Sequence, residues 1–408
     1  MSAKRDKPKN AHEVQYRIEE RWLIDTIFDR QEEAVNRARD LLRDGDKDAV
    51  KVIFYRSIMG GFTKERVVFE ETRADFMNSQ PRINGNVEGV DYCEGTVDFY
   101  KLESRLMVRR IFAEWLDRFD VTTTELLHNW TYGKRMMDSG AALNTAVHKV
   151  ATVQAKAADM PMRSRIAQIE QHIRRISSRA REHQQWVRSS GVKVNADSAN
   201  TVADKLFKQM DAPAARHRLT ALICDWLAPQ KSVGLKLQAA LELSETAKNR
   251  ELLSILDEVM ADCIIVPAVL KEVFGAQPSL AAFLIELCQV LGDNWQPNPQ
   301  TTPELKRLVK FINAGIASQS TRRVLLERLV AELESDHPLD RRDPESEPDW
   351  LSTLGAEIRG ETGGRRIVHD NIKPALDTRK VRQRVHALRE LGMEDAANEL
   401  LRKLRKTG

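Results

Sequence analysis

Apolar side chains recur at helical spacing from residue 12 to residue 43. They are Val14, Ile18, Leu23, Ile24, Ile27, Phe28, Val35 and Leu42, with charged residues between them. This spacing predicts one long amphipathic helix, stopped at the turn signal Asp44-Gly45-Asp46. Two short β-type runs follow, Val50 to Arg56 and Arg66 to Glu70, with Gly60-Gly61 between them to permit a reversal. An antiparallel hairpin packed on the first helix is expected, because a hairpin alone is marginal in water. Its sheet edge and the aromatic residues Phe54, Tyr55, Phe62 and Phe69 are the expected docking surface for a partner strand or helix.

Residues 78–97, rich in Asn and Gly, read as a loop. A helix is expected from about Val97 to Phe119, carried by Phe99, Leu102, Leu106, Ile111 and Trp115. Thr122-Thr123-Thr124-Glu125 fits a capping box and should start a helix that runs, with a break near Gly140, to about Ala158. The most regular pattern comes next. Met162, Ile166, Ile169, Ile173, Ile176, Ala180, His183 and Val187 alternate spacings of four and three, which is a heptad seam ended by Gly191. Its partner is either residues 124–158 of the same chain or a second copy of the protein.

From residue 198 to 334 the pattern predicts eight consecutive helices, at 198–210, 214–227, 231–243, 247–260, 264–274, 278–291, 303–317 and 320–334. Pro213, Pro229, Pro267, Pro278 and Pro303 lie near their starts, and no fixed repeat period emerges. Residues 335–349, charged and containing Pro338, Pro344 and Pro348, have a linker composition. A helical hairpin should close the chain: Val381, Val385, Leu388 and Leu391 form one stripe, Gly392 breaks it, and Ala396, Leu400, Leu401 and Leu404 form the next.

The expected class is therefore mainly α. It comprises a multi-helix bundle or irregular α-solenoid body, a coiled-coil hairpin, and a small N-terminal helix plus β-hairpin module. The expected divisions are 1–120, 121–195, 196–334, a linker at 335–349 and a basic hairpin at 350–408.

Charge changes this picture more than composition does. The net charge is only +4, but it is unevenly spread. Arg163 to Lys193 holds eight basic residues and two acids, and Arg379 to Gly408 holds nine against four. Glu332 to Asp349 holds eight acids and two arginines. Such asymmetry implies an electrostatic partner, in the chain or outside it. Arg163, Arg165, Arg174, Arg175, Arg179, Arg181 and Arg188 on the seam helix could meet phosphates or an acidic protein face. No apolar run approaches the roughly 18 residues of a membrane span, and the polar start of the chain is no secretory signal. Cys93, Cys224, Cys263 and Cys288 form no close pair; a reducing, cytoplasmic setting is expected, with the thiols as small hydrophobes.

A search for catalytic patterns finds none of the common ones. Dinucleotide and phosphate-loop glycine motifs, a nucleophile elbow, and a zinc helix are absent from the sequence. Gly60-Gly61-Phe62-Thr63-Lys64 fits a hairpin turn better than a phosphate loop. Asp44-Gly45-Asp46-Lys47-Asp48 starts like a calcium loop but has Ala49 and Tyr55 where Gly and Glu are needed. Thr362-Gly363-Gly364-Arg365-Arg366 has the donors of an anion nest, yet a flexible turn between helices is expected there. His183 is either a pH-sensitive residue of the seam or an exposed residue past its end, and the second is expected. No cofactor or metal is called for.

The expected function is that of a non-catalytic adaptor, scaffold or regulatory protein. It would act by helix-mediated protein–protein interaction, including self-association through the seam. The interaction residues expected are Ile166, Ile169, Ile173, Ile176, Arg174, Arg175, Arg179, Arg181, Phe54, Tyr55 and Phe69. Nucleic-acid binding through 161–190 and the basic tail is the alternative, and an enzyme without a recognisable signature is the third.

Overall fold

The computed structural model describes residues 10–44, 47–58, 62–73, 83, 87, 89–139, 141–315 and 318–407. The chain forms two compact units, residues 1–82 and 83–408. It is mainly α, with 18 helices among the described residues and one small N-terminal antiparallel sheet.

The first unit corrects the expected long helix. Its first half is a hairpin of β1 (Asn10–Ile18) and β2 (Arg21–Phe28), and only its second half is helical, α1 (Gln31–Asp44). The expected hairpin follows as β3 (Ala49–Ile58) and β4 (Phe62–Thr72). The strand order is β2-β1-β3-β4, all antiparallel. Two features explain the correction. β1 and β2 carry Val14, Tyr16, Ile18, Trp22, Ile24, Thr26, Ile27 and Phe28, side chains that pack well on a pleated surface. The reversal is made by Glu19-Glu20, with Glu19 at φ 55°, where neither glycine nor asparagine signals a turn. Asp48 accepts a 2.6 Å hydrogen bond from the Glu19 backbone N–H and holds that turn. α1 lies on β1 and β3 and buries Ala34, Ala38, Leu41 and Leu42, while Val14, Val50 and Val52 are wholly buried.

The second unit opens with a 3₁₀ turn (Thr96–Tyr100), α2 (Leu102–Ile111) and α3 (Ala113–Arg118). α4 (Thr123–His128), α5 (Trp130–Asp138) and α6 (Ala141–Ala157) follow. α7 (Met162–Ser190) is the long seam helix, and Gly191 ends it at φ 66°, a left-handed position suited to glycine. The eight expected helices are present as α8 (Ala199–Gln209), α9 (Ala212–Leu227), α10 (Val233–Thr246) and α11 (Arg250–Ile264), then α12 (Pro267–Phe274), α13 (Leu280–Leu291), α14 (Pro303–Asn313) and α15 (Gln319–Glu334). Thr302 caps α14 by accepting from the Leu305 N–H at 3.1 Å. α16 (Glu347–Arg359) precedes the closing hairpin of α17 (Ile372–Glu390) and α18 (Glu394–Thr407), which turns at Gly392. One apolar core runs from Val194 to Leu376 through α8–α17. Residues 335–349 are packed on this core rather than trailing free: Leu339 is fully buried and its carbonyl accepts from the Ala281 N–H at 2.9 Å.

The junction of this unit is α4, all six of whose residues are buried. Thr122 Oγ1 accepts from the Glu125 N–H, and Glu125 Oε2 accepts from the Thr122 N–H at 2.8 Å, which completes the capping box. Lys236 of α10, 1% exposed, reaches the same carboxylate oxygen at 2.7 Å and the Asp120 carbonyl at 2.6 Å. Asp262 of α11 accepts from both the N–H and the hydroxyl of Thr124 at 2.7 Å. Its other oxygen lies 3.3 Å from Arg105 of α2, also 1% exposed. Burial pushes the carboxyls of Glu125 and Asp262 up, and the adjacent cations pull them back.

Removing one partner of such a pair leaves the other charged and dry. Lys236→Ala should therefore destabilise the protein by about 3–5 kcal/mol, and the double variant Lys236→Met with Glu125→Gln should recover a large part of that loss. Urea unfolding followed by circular dichroism checks both.

Candidate interaction surfaces

α7 presents two faces of different chemistry. Its inner face buries Ile169, Ile176, Ala180 and His183. Ile169 packs with Val147 and Ala151 of α6, and Ile166 and Ile173 join them half-buried. α4 and α5 also lie along this face. Of the two expected pairings, the structure thus shows the one with residues 124–158 of the same chain.

The outer face carries the arginines. Arg174, Arg181 and Arg188 recur every seventh residue, roughly 10 Å apart. Arg163 falls within about 20° of the same line at 3.6 residues per turn. All four are exposed, as are Arg175 and Arg179 on the adjoining flank. Among the described residues, Arg174 alone of these six pairs with a carboxylate, that of Glu170 at 3.4 Å. Arg181 lies over the Trp130 ring at 5.8 Å. Arg165 departs from the expectation of a basic surface, because it is 1% exposed and points inward.

The acidic segment expected as an internal partner is engaged elsewhere. Glu347 binds Arg379 at 2.8 Å and Asp336 binds Arg382 at 3.0 Å, both on α17. The closing hairpin is thereby partly neutralised in cis, whereas on the outer face of α7 Arg174 alone has an acidic partner among the described residues.

The sheet offers a second surface, displaced from the one expected. Tyr55 is buried, its hydroxyl 3.1 Å from Glu13 Oε1. Phe54 is half-buried with its ring 4.8 Å from that of His12, and Phe69 is half-buried under Arg39 at 5.3 Å. The Phe62 side chain, Gly60-Gly61 and Gly45-Asp46 lie outside the described residues. The exposed apolar side chains are instead on the edge strand β2: Leu23 at 44%, Ile24 at 59% and Ile27 at 38%. Reading 12–28 as helix hid this edge. The alternation Trp22, Ile24, Thr26 and Phe28 was the available signal.

His183 is not exposed, contrary to expectation. It is buried, and its Nε2 lies 3.1 Å from Asp225 Oδ2, whose other oxygen accepts from Asn129 at 2.8 Å. Nearby, His128 donates from Nδ1 to the Thr124 carbonyl at 2.9 Å and stacks at 5.0 Å on His217. Tyr100 packs against both rings. Burial holds the His128 pKa well below its usual value, helped by the neighbouring His217. Burial and the Arg179 charge bring His217 down to about 4. The turn at 362–366 is tied down by an Arg365 N–H bond of 2.6 Å to the Gly292 carbonyl and an Arg365–Asp293 ion pair of 3.2 Å. All four cysteines are unpaired and buried, and burial raises every thiol, that of Cys288 to about 12. Among the described residues no group of side chains is arranged to hold a metal ion, and no helix is long and apolar enough to cross a membrane.

Comparison with family models, with curated proteins and with solved structures finds no match. The geometry above carries the functional reading by itself.

The two neutral histidines make stability depend on pH. Both take up protons more readily unfolded, near 6.5, than folded. Their contribution is complete above about 6.5 and falls as pH drops below it, that of His217 until about 4, at up to about 1.4 kcal/mol per pH unit for each ring. Thermal unfolding between pH 7.5 and 4.5 should show this slope, and the double variant His128→Gln with His217→Gln should flatten it.

Proposed function

We propose that this protein is a non-catalytic cytoplasmic adaptor, scaffold or regulatory protein that binds another protein. The observation that carries this reading is the edge of β2. An edge strand has unpaired backbone donors and acceptors, which proteins ordinarily blunt with charge. β4, the other edge, carries the exposed charges Glu65, Arg66 and Glu70 around one exposed apolar side chain, Val67. β2 instead exposes Leu23, Ile24 and Ile27. A partner strand added there would gain main-chain hydrogen bonds and cover those side chains. The buried, unreactive thiols are consistent with a reducing compartment. Because α6 packs along the heptad seam from within the chain, self-association through it would require α6 and α7 to part, so we assign partner contact to the outer surfaces.

The second reading, nucleic-acid binding, is supported by the arginine line on α7, of which Arg174 alone has an acidic partner among the described residues. The closing hairpin contributes less to it, because Arg379 and Arg382 have acidic partners, while Lys380 and Arg384 stay exposed.

One experiment separates the two. Tagged protein is captured from its source cells with and without nuclease, alongside the variants Leu23→Lys/Ile24→Lys and Arg174→Glu/Arg181→Glu. Protein partners that survive nuclease and vanish with the β2 variant support the adaptor reading. Partners that vanish with nuclease and with the α7 variant move the assignment to nucleic acid, for which affinity should fall steeply with salt. Both variants alter exposed positions and should leave stability within about 0.5 kcal/mol.

A further inference from the structure

The seam of α7 is not filled along its whole length. Between α7 and the helices α2, α4, α5 and α6 lies a cavity of about 530 Å³. That is within the range of roughly 300–1,000 Å³ typical of small-molecule sites. Its walls are mainly apolar and include Met107, Met137, Val147, Val150 and Ile173. The cavity opens to solvent on one side, so a ligand can enter it, and its apolar walls can cover an apolar chain.

Charged side chains also line it, Asp91, Glu103, Arg110, Arg323 and Glu327 at partly or fully exposed positions and Arg165 at a buried one. Arg165 lines the cavity and is 1% exposed. Its Nε donates to Gln154 Oε1 at 2.8 Å, Nη1 to Gln168 Oε1 at 2.9 Å, and Nη2 to the Cys93 carbonyl at 2.9 Å. The Tyr92 ring lies 3.8 Å from the guanidinium carbon. Every one of these partners is neutral, and among the described residues no carboxylate pairs with Arg165. This contrasts with Arg105 and Lys236, the other fully buried cations, each of which has an acidic partner. A buried cation without a counter-charge is costly. Three of the five guanidinium donors are used, which leaves one on each terminal nitrogen. A carboxylate is the ligand group that matches paired guanidinium donors in shape and charge.

We propose that this cavity binds a single-chain amphiphile with a carboxylate head, the chain lying against α2, α5, α6 and α7 and the head neutralising Arg165. The site is separate from the β2 edge and from the outer face of α7, so its fate does not depend on the partner reading. It also explains why Ile173, at a seam position, is only half-buried: its outer side faces the ligand space.

The test is calorimetric titration of the full chain with dodecanoate, at concentrations below micelle formation, against dodecanol as the neutral match. Saturable binding of one dodecanoate per chain is expected, with dodecanol weaker by about ten- to hundredfold, the loss of a hydrogen bond to a charged group. Arg165 is built into the wall, so Arg165→Met reports cleanly only if its circular dichroism is unchanged. Ile173→Trp, which fills the cavity from a half-buried position, is the second variant and should abolish binding of both probes. Equal affinity for the two probes would overturn the carboxylate assignment. Binding that is unsaturable, or unaffected by Ile173→Trp, or absent for both probes would overturn the site.

Discussion

The second unit depends on a short helix that is buried on every side. α4 has six residues, too few to be stable by propensity, since isolated helices of that length do not form in water. Its free N–H groups would be buried without partners, and buried backbone donors must be satisfied. Thr122, Glu125 and Asp262 satisfy them, and Lys236 and Arg105 then balance the two carboxylates. These ties join α4 to α2, α10 and α11 at once. α5, α6 and α7 then build outward from the other end of α4, where Asn129 caps α5 and binds Asp225. The core of α8–α17 and the long seam helix thus share one polar hinge point, fixed by geometry rather than by greasy contact alone.

Charge along the chain sorts into two kinds. One kind is closed internally: the acidic 332–349 stretch meets Arg379 and Arg382, Asp257 caps α15 through the Ser320 and Thr321 N–H groups, and Arg216 bridges Glu251 and Glu258. The other kind stays open to solvent, on the outer face of α7. Arg165 belongs to neither, being buried and held only by neutral acceptors. A long helix can serve all three purposes because its faces are separated by its own cylinder. The inward face packs and, at Arg165, half a turn round the helix from Arg174, opens on the cavity, while the outward line meets solvent.

The sheet module shows how a similar separation arises in β structure. α1 covers the central strands, whose Val14, Val50 and Val52 are wholly buried. The two edges are left to face different surroundings. One is mostly charged, with Val67 exposed among the charges, and the other exposes three apolar side chains; the proposed partner contact rests on this difference.

Helix positions from 198 to 334 were legible because most helices there start at a side-chain cap or a proline and end within a few residues of a turn signal. The capping box at Thr122, the stop at Gly191 and the turn at Gly392 were legible for the same local reason. Residues 12–28 were misread because their spacing satisfies a helix and a strand about equally. Burial under α1 and a Glu-Glu turn held by Asp48, distant in sequence, decided between them. The fates of individual charges were likewise out of reach. Helical phase sets Arg165 about 200° from Arg163 and puts His183 on the seam, but nothing local says what covers them there, because their partners lie elsewhere in the chain. The sequence by itself determined which segments are helical and where most of them stop, since those are short-range matters of periodicity and capping. Only the tertiary structure decided which strand is an edge, which cations are paired and where the core stays open, because each depends on groups tens of residues apart meeting in space.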